Sequence, residues 1–338
     1  MKKKIFYLIG AAVLLFLIFL AYQANQPVQP ETTKDWTAMI DRRELKRETF
    51  FVENADLLLE GEVLSPVGGS PTKPAVIFIP GSGSTTYQAY APGLIEKYVL
   101  DVFIPRDYAV VFMNKRGMGL SEGNWMKNDF SGRAEDVMAA VNHLRKLPGI
   151  DQTRIGVIGH SQGGWVANLV ASRDPSLNFF ISLAGPVTSV QEQMADIYRN
   201  DFRCQGFDGE KLTSKTNRQL TLARIGATIG KVLPIGVIGF DAGIIDYDPH
   251  NILLETTNPG LFVYGENDPY VPADQNIKRF KEIFPDGSPH LSVIAVSEGD
   301  HHFRKTHSVC QPYEERLKMP FSENLLAQLN TWLDQQDF

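Results

Sequence analysis

The stretch "RIGVIGHSQGGWVANLV", residues 154–170, sets Ser161 between two glycines at the end of an apolar run. Gly159-x-Ser161-x-Gly163 is a short pattern whose meaning comes from its surroundings. "RIGVIGH" has the apolar content of a strand, while Val166, Leu169 and Val170 recur at helical spacing until Asp174-Pro175. A strand, a tight turn and a helix in that order push a serine hydroxyl out of the top of a sheet, where it can act as a nucleophile. Glycines at 159 and 163 suit such an elbow, because a Cβ would keep strand and helix apart. The competing reading is a glycine-rich turn that happens to contain a serine.

A serine hydroxyl is a weak nucleophile at neutral pH, so it needs a base, and the base needs an orienting carboxylate. In a site of this kind the chain order is serine, acid, histidine, with the last two on loops after late strands. Asp268 in "LFVYGENDPYVPADQ" stands just past a strand and before Pro269; its alternative is an Asx-type turn cap. Glu266 lies too close to the strand end, and Asp274 reads as a helix starter. For the base, "VSEGDHHFRKTH" offers His301, His302 and His307. Gly299, His301 and Phe303 form a Gly-x-His-x-Phe spacing that selects His301 and leaves His302 lining or capping the same loop. Adjacent histidines diverge and no His-Glu-x-x-His run exists, so metal binding is set aside. His160 should point back into the sheet in a structural role, and His143, His250 and His290 read as solvated or structural.

Acyl transfer also needs donors for the developing oxyanion. The backbone N–H of Gln162, next after the nucleophile, supplies one. The N–H of Ser82 in "FIPGSGSTT" is expected to supply the other; a phosphate loop is the alternative there, but no Gly-Lys-Ser/Thr follows. In "NKRGMGLSEG", residues 114–123, Arg116 reads as a brace near the rim of the site.

Eight short apolar runs end in Gly or Pro or a turn: "ETFFVEN", "DLLLEGEVLSP", "KPAVIFIPGSG", "YAVVFMNKRG", "TRIGVIGHSQGG", "NFFISLAGP", "GLFVYGEND" and "HLSVIAVSEGDHH". Between them run helical periods, clearest in Ala134, Val137, Met138, Val141 and Leu144. This alternation predicts an α/β fold with a mainly parallel eight-stranded sheet and helices on both faces. The alternation breaks at about 187–250, where a helical cap insertion is expected over the edge of the sheet at which ligands bind.

The folded domain is placed at 47–338, after a stalk over 23–46. Residues 5–22 are uncharged and mostly apolar, long enough at 1.5 Å per residue to cross a ~30 Å hydrocarbon layer. They are expected to form an N-terminal transmembrane signal-anchor after a cytoplasmic stub, 1–4, whose Lys2, Lys3 and Lys4 place the domain on the extracytoplasmic side of the cell membrane. Signal cleavage, giving a secreted or periplasmic protein, is the alternative. The two cysteines, Cys204 and Cys310, are either a disulfide or two buried thiols. A net charge of −6 with no basic block excludes nucleic acid as a leading partner.

With "PGSGS", "NKRGMGLSEG", "GHSQGG", "GENDPYVP" and "GDHHF" in this order, residues 47–338 resemble the α/β-hydrolase superfamily. Within it they are similar to bacterial esterase D-like and serine-aminopeptidase-like hydrolases. The resemblance implies a carboxylic-ester hydrolase without cofactor or metal, in which Ser161 attacks, His301 moves the proton and Asp268 orients His301. A small-molecule or lipid-like ester is the expected substrate. A peptidase or thioesterase of the same fold is the alternative, for which Glu192, Asp196 or Asp201 could bind an amine; a non-catalytic binding protein on the same scaffold is a second.

Overall fold

A computed structural model describes residues 33–90, 93–234 and 236–336. All eight apolar runs form strands: β1 Leu45–Asn54, β2 Leu57–Pro66, β3 Lys73–Ile79, β4 Ala109–Met113, β5 Ile150–His160, β6 Phe179–Leu183, β7 Gly260–Gly265 and β8 Leu291–Val296. They make one sheet in the order β1-β2-β4-β3-β5-β6-β7-β8. β2 is antiparallel to both its neighbours, and β4, β3, β5, β6, β7 and β8 run parallel.

β4 is apolar at every position, and β3 at every position after Lys73, because both faces are covered. In β3, Ala75, Ile77 and Ile79 face a core with α2 (Phe130–Leu144) and α3 (Gln162–Arg173), while Val76 and Phe78 face a second core. The second core includes Tyr98, Leu325 and Leu329, the last two on the C-terminal helix over 323–335. The stripe expected on α2 is the buried face, with Ala134, Val137, Val141 and Leu144 in the core and Met138 packed against it. Asp129 begins that helix by accepting the Gly132 N–H at 2.9 Å.

The folded body begins before residue 47. Residues 33–46, assigned above to the stalk, contain α1 (Thr33–Arg42), which packs on the second core through Trp36, Met39 and Ile40. Trp36 Nε1 donates to Glu62 at 2.7 Å. Only three apolar side chains at i, i+3 and i+4 carry this face, too short a pattern to stand out beside the polar stretch before it. The 5–22 segment lies outside the described residues. Among those described, no single helix is long and apolar enough to cross a membrane.

Four helices interrupt the sheet between β6 and β7: α4 Val190–Cys204, α5 Gly209–Val232, α6 Gly236–Ile244 and α7 His250–Glu255. Ser189 and Glu192 start α4 with a reciprocal capping box. Cys204 and Cys310 form a disulfide, tying the end of α4 to the loop that follows His301.

Candidate active site

β5 ends at His160, and the chain turns directly into α3 through Ser161, whose φ of 56° and ψ of −124° are strained for a residue with a Cβ. The elbow is held by the Ser161 N–H, which donates to Leu183 O at 2.8 Å on β6. Its tightness explains the flanking glycines: a Cβ on Gly159 would lie 2.0 Å from Gly163 O, and one on Gly163 would lie 2.2 Å from Ile79 O. Ser161 occupies the N-cap position of α3, yet its hydroxyl does not cap the helix. The incidental-turn reading would have given that oxygen a capping role.

His301 and Asp268 meet as expected. The His301 Nδ1 lies 2.7 Å from Asp268 Oδ2, and both residues are buried. The second carboxylate oxygen, Oδ1, accepts the backbone N–H of Tyr270 at 2.7 Å and of Val271 at 2.9 Å. With acceptors only on the carboxylate, Nδ1 carries the proton and Nε2 keeps its lone pair, the tautomer a general base requires.

His160 couples this pair to the elbow. Its Nε2 donates to the His301 backbone carbonyl at 2.8 Å, and the two rings lie 4.8 Å apart. The residue before Ser161 thus ties the histidine loop to the elbow. A direct hydrogen bond between Ser161 Oγ and the His301 ring is not present. His160 is kept neutral by burial, with the neighbouring His301 and His302 adding to the effect. His302 stacks on His160 at 5.0 Å, and burial, followed by the proximity of His301, Arg304 and Arg316, lowers its pKa to about 3.

The "PGSG" loop lies over the elbow: a Cβ on Gly81 would sit 3.1 Å from Ser161 Cβ. Ser82 and Gln162 line one small cavity there, with Trp125 and Phe240 from outside the sheet. Two buried cations pin the loop from behind. Lys115 Nζ donates to Gly81 O at 2.9 Å and also to Gly83 O, while Arg133 Nη2 donates to Pro80 O at 2.6 Å. Burial holds Lys115 well below its usual pKa, with the Arg133 charge contributing, and burial lowers Arg133 to about 10. Because the peptide unit is planar and trans, fixing Gly81 O fixes the opposed direction of the Ser82 N–H. Neither cation was singled out in the sequence. Lys115 sat in a recognisable "NKRG" turn, but Arg133 lies inside a helix, where nothing local marks it.

The remaining candidates have local partners. Arg116 makes a bidentate pair with Asp136 of α2, Nε at 2.9 Å and Nη2 at 2.7 Å, which makes it a brace. Glu266 is exposed, and Asp274 lies in the first turn of α8 (Ala273–Ile283). Glu192 serves the capping box and Asp196 pairs with Arg199, while Asp201 is exposed on the last turn of α4. His307 and His290 are exposed, His250 opens α7, and His143 stacks on Phe50 at 4.9 Å.

Known structures share this architecture. The Pyrococcus furiosus esterase Pf2001 superposes with a TM-score of 0.60 at 17% identity, over 91% of this chain and 95% of that one. The fold is that of the α/β hydrolases. Residues 96–218 match the model of the prolyl oligopeptidase family. An uncharacterized peptidase of Bacillus subtilis, YuxL, is 28% identical over 136 residues, 38% of this chain and 20% of that protein. Dipeptidyl-peptidase 5 of Porphyromonas gingivalis is 24% identical over 265 residues, 77% of this chain and 34% of that protein. The chain therefore spans about a third or less of the length of these two relatives. The Ser161 elbow, the Asp268 loop and the His301 loop stand on this sheet, with helices α4–α7 inserted between β6 and β7.

Proposed function

We propose that the chain is a serine hydrolase that cleaves carboxylic esters through an acyl-enzyme. The observation that carries the reading is the His301–Asp268 hydrogen bond of 2.7 Å, buried and docked through His160 onto the strained Ser161 elbow. In the first step Ser161 Oγ bonds to the carbonyl carbon while its proton passes to His301 Nε2, and the carbonyl oxygen becomes an anion facing the Ser82 and Gln162 N–H groups. The C–O bond to the alcohol then breaks, and His301 returns the proton to the leaving oxygen. Water repeats the sequence on the acyl-enzyme, releasing the acid and restoring Ser161. Substrate binding is expected to close the Ser161–His301 hydrogen bond, since such contacts tighten in the reactive complex.

Peptide or thioester cleavage is the second reading, favoured by the prolyl oligopeptidase match and by the peptidase names of the relatives. Esters remain the first choice because the cap carboxylates that would bind a peptide amine are engaged in helix capping, paired with Arg199, or exposed on the outer turn of α4. The disulfide supports an oxidising, extracytoplasmic location, in keeping with a membrane anchor over 5–22. A fluorophosphonate probe tests the reading: wild type should label at Ser161, and labelling that survives Ser161→Ala would overturn it. Rates on p-nitrophenyl esters, aminoacyl amides and thioesters then separate the two substrate classes.

A further inference from the structure

The cap carries an apolar row that the fold leaves uncovered. On α5, Leu222, Ile225 and Ile229 recur at three- and four-residue spacing with about half of each side chain exposed, and Val232 is 86% exposed. Leu233, Val237 and Ile238 continue the exposed row across the break into α6. Large apolar residues scattered singly are normal on a protein surface, but a contiguous run of this length marks a contact surface.

The same helix is basic in an acidic chain. α5 holds Lys211, Lys215, Arg218, Arg224 and Lys231 against Glu210 alone, whereas the whole chain carries −6. Lys231 pairs with Asp246, Arg224 with Gln191, and the Lys215 ammonium sits 4.1 Å over the Phe207 ring, while Lys211, Lys215 and Arg218 all remain exposed. An apolar stripe beside an excess of basic side chains complements the headgroup region of an anionic bilayer.

A third observation places this surface on the side from which the preceding chain arrives. Trp36 packs on Tyr87 at 5.2 Å and on Phe112 at 4.9 Å, toward the carboxyl ends of β3 and β4. Leu45, after α1, pairs with Pro66 toward the opposite edge. The chain thus enters the domain at the sheet edge that bears the elbow and the cap. Ten residues, 23–32, separate the apolar segment from α1, and they reach at most about 35 Å when extended.

We infer that the α5–α6 corner of the cap is a membrane-docking surface, with Ile225, Ile229, Leu233 and Val237 lying in the headgroup boundary of an anionic phospholipid bilayer. The corner is joined to the site: α6 also carries Phe240, which packs on Trp125 at 5.2 Å and lines the cavity shared by Ser82 and Gln162. An ester presented at a bilayer surface is the substrate class this arrangement fits. That last clause rests on the hydrolase reading; the docking itself does not.

The test uses the full chain with an NBD fluorophore on Ile229→Cys or Val237→Cys, the two native cysteines being held in the disulfide. Asp286→Cys, exposed in the loop before β8 at the opposite edge, is the control. On phosphatidylcholine–phosphatidylglycerol vesicles, labels at 229 and 237 should shift to the blue and be quenched by doxyl lipid, while the label at 286 should do neither. Lys211→Gln with Lys215→Gln and Arg218→Gln should reduce that quenching several-fold. Water-like emission at 229 and 237 in protein that floats with vesicles would overturn the inference. So would a blue shift without lipid that grows with protein concentration, which assigns the row to a second copy of the chain. Flotation reports the 5–22 segment and fluorophosphonate labelling reports Ser161, so failure of either earlier reading is seen separately from failure of this one.

Discussion

The Cys204–Cys310 bridge closes a loop across the cap, with a sequence separation of 106 residues. Opening it should act mainly on the unfolded chain, where the cross-link removes conformations that the folded state never visits. The chain-entropy relation gives about 4.7 kcal/mol for a loop near 100 residues, an upper figure because denatured chains retain structure. With a melting entropy of roughly 2.1 cal/mol/K per residue and roughly 300 folded residues, the bridge is worth about 7 °C in Tm. Activity should change little, because other bonds hold both ends of the bridge. Asn200 Nδ2 donates to Pro269 O at 3.0 Å on the cap side, and the Thr306 N–H donates to Glu298 O at 2.7 Å on the histidine loop. Calorimetry of Cys204→Ser/Cys310→Ser beside wild type, with ester hydrolysis at 25 °C, measures both quantities. An unchanged Tm would refute the loop-closure argument. A large fall in kcat at 25 °C would show instead that the bridge shapes the native site.

Three further outcomes follow from the site. Asp268→Asn should lower kcat on the order of 10⁴-fold by favouring the wrong His301 tautomer, measured in steady-state ester hydrolysis with folding checked by circular dichroism. Lys115→Met frees Gly81 O and lets the Ser82 N–H swing, so kcat should drop about 10²- to 10³-fold with KM nearly constant, as for loss of one oxyanion donor; an equal change in KM alone would point to substrate binding instead. His302 has a pKa of about 3 in the fold against ~6.5 unfolded, so the unfolded chain binds the extra proton between those values. Stability is therefore full above pH ~6.5 and lost as pH falls toward ~3, and urea midpoints for His302→Gln should vary less steeply across that window than those of wild type.

The sequence alone was enough for the parts of the molecule that are local in the chain. Strand runs such as "AVIFI" within β3 are apolar at every position because a parallel strand is covered on both faces, and that signature needs no partner to be read. The elbow was equally legible, since backbone strain at Ser161 and close approach at Gly159 and Gly163 leave few residue types that fit. The order of the acid and histidine motifs was readable as well.

Tertiary structure decided what depends on distant segments meeting. Lys115 and Arg133 become site residues only because the ends of β3 and β4 and the start of α2 converge on the "PGSG" carbonyls. His160 was expected to be structural, but its bond to the His301 carbonyl spans 141 residues and has no trace in either neighbourhood. The cysteine pairing, left open by composition, needed the end of α4 and the histidine loop brought to a Cα separation of 5.2 Å. Helix α1 joined the body through three side chains whose partners, Tyr87 and Phe112 among them, lie far along the chain. Backbone conformation and burial leave a periodic mark on sequence, whereas a hydrogen bond between remote residues is a property of the folded geometry and leaves none.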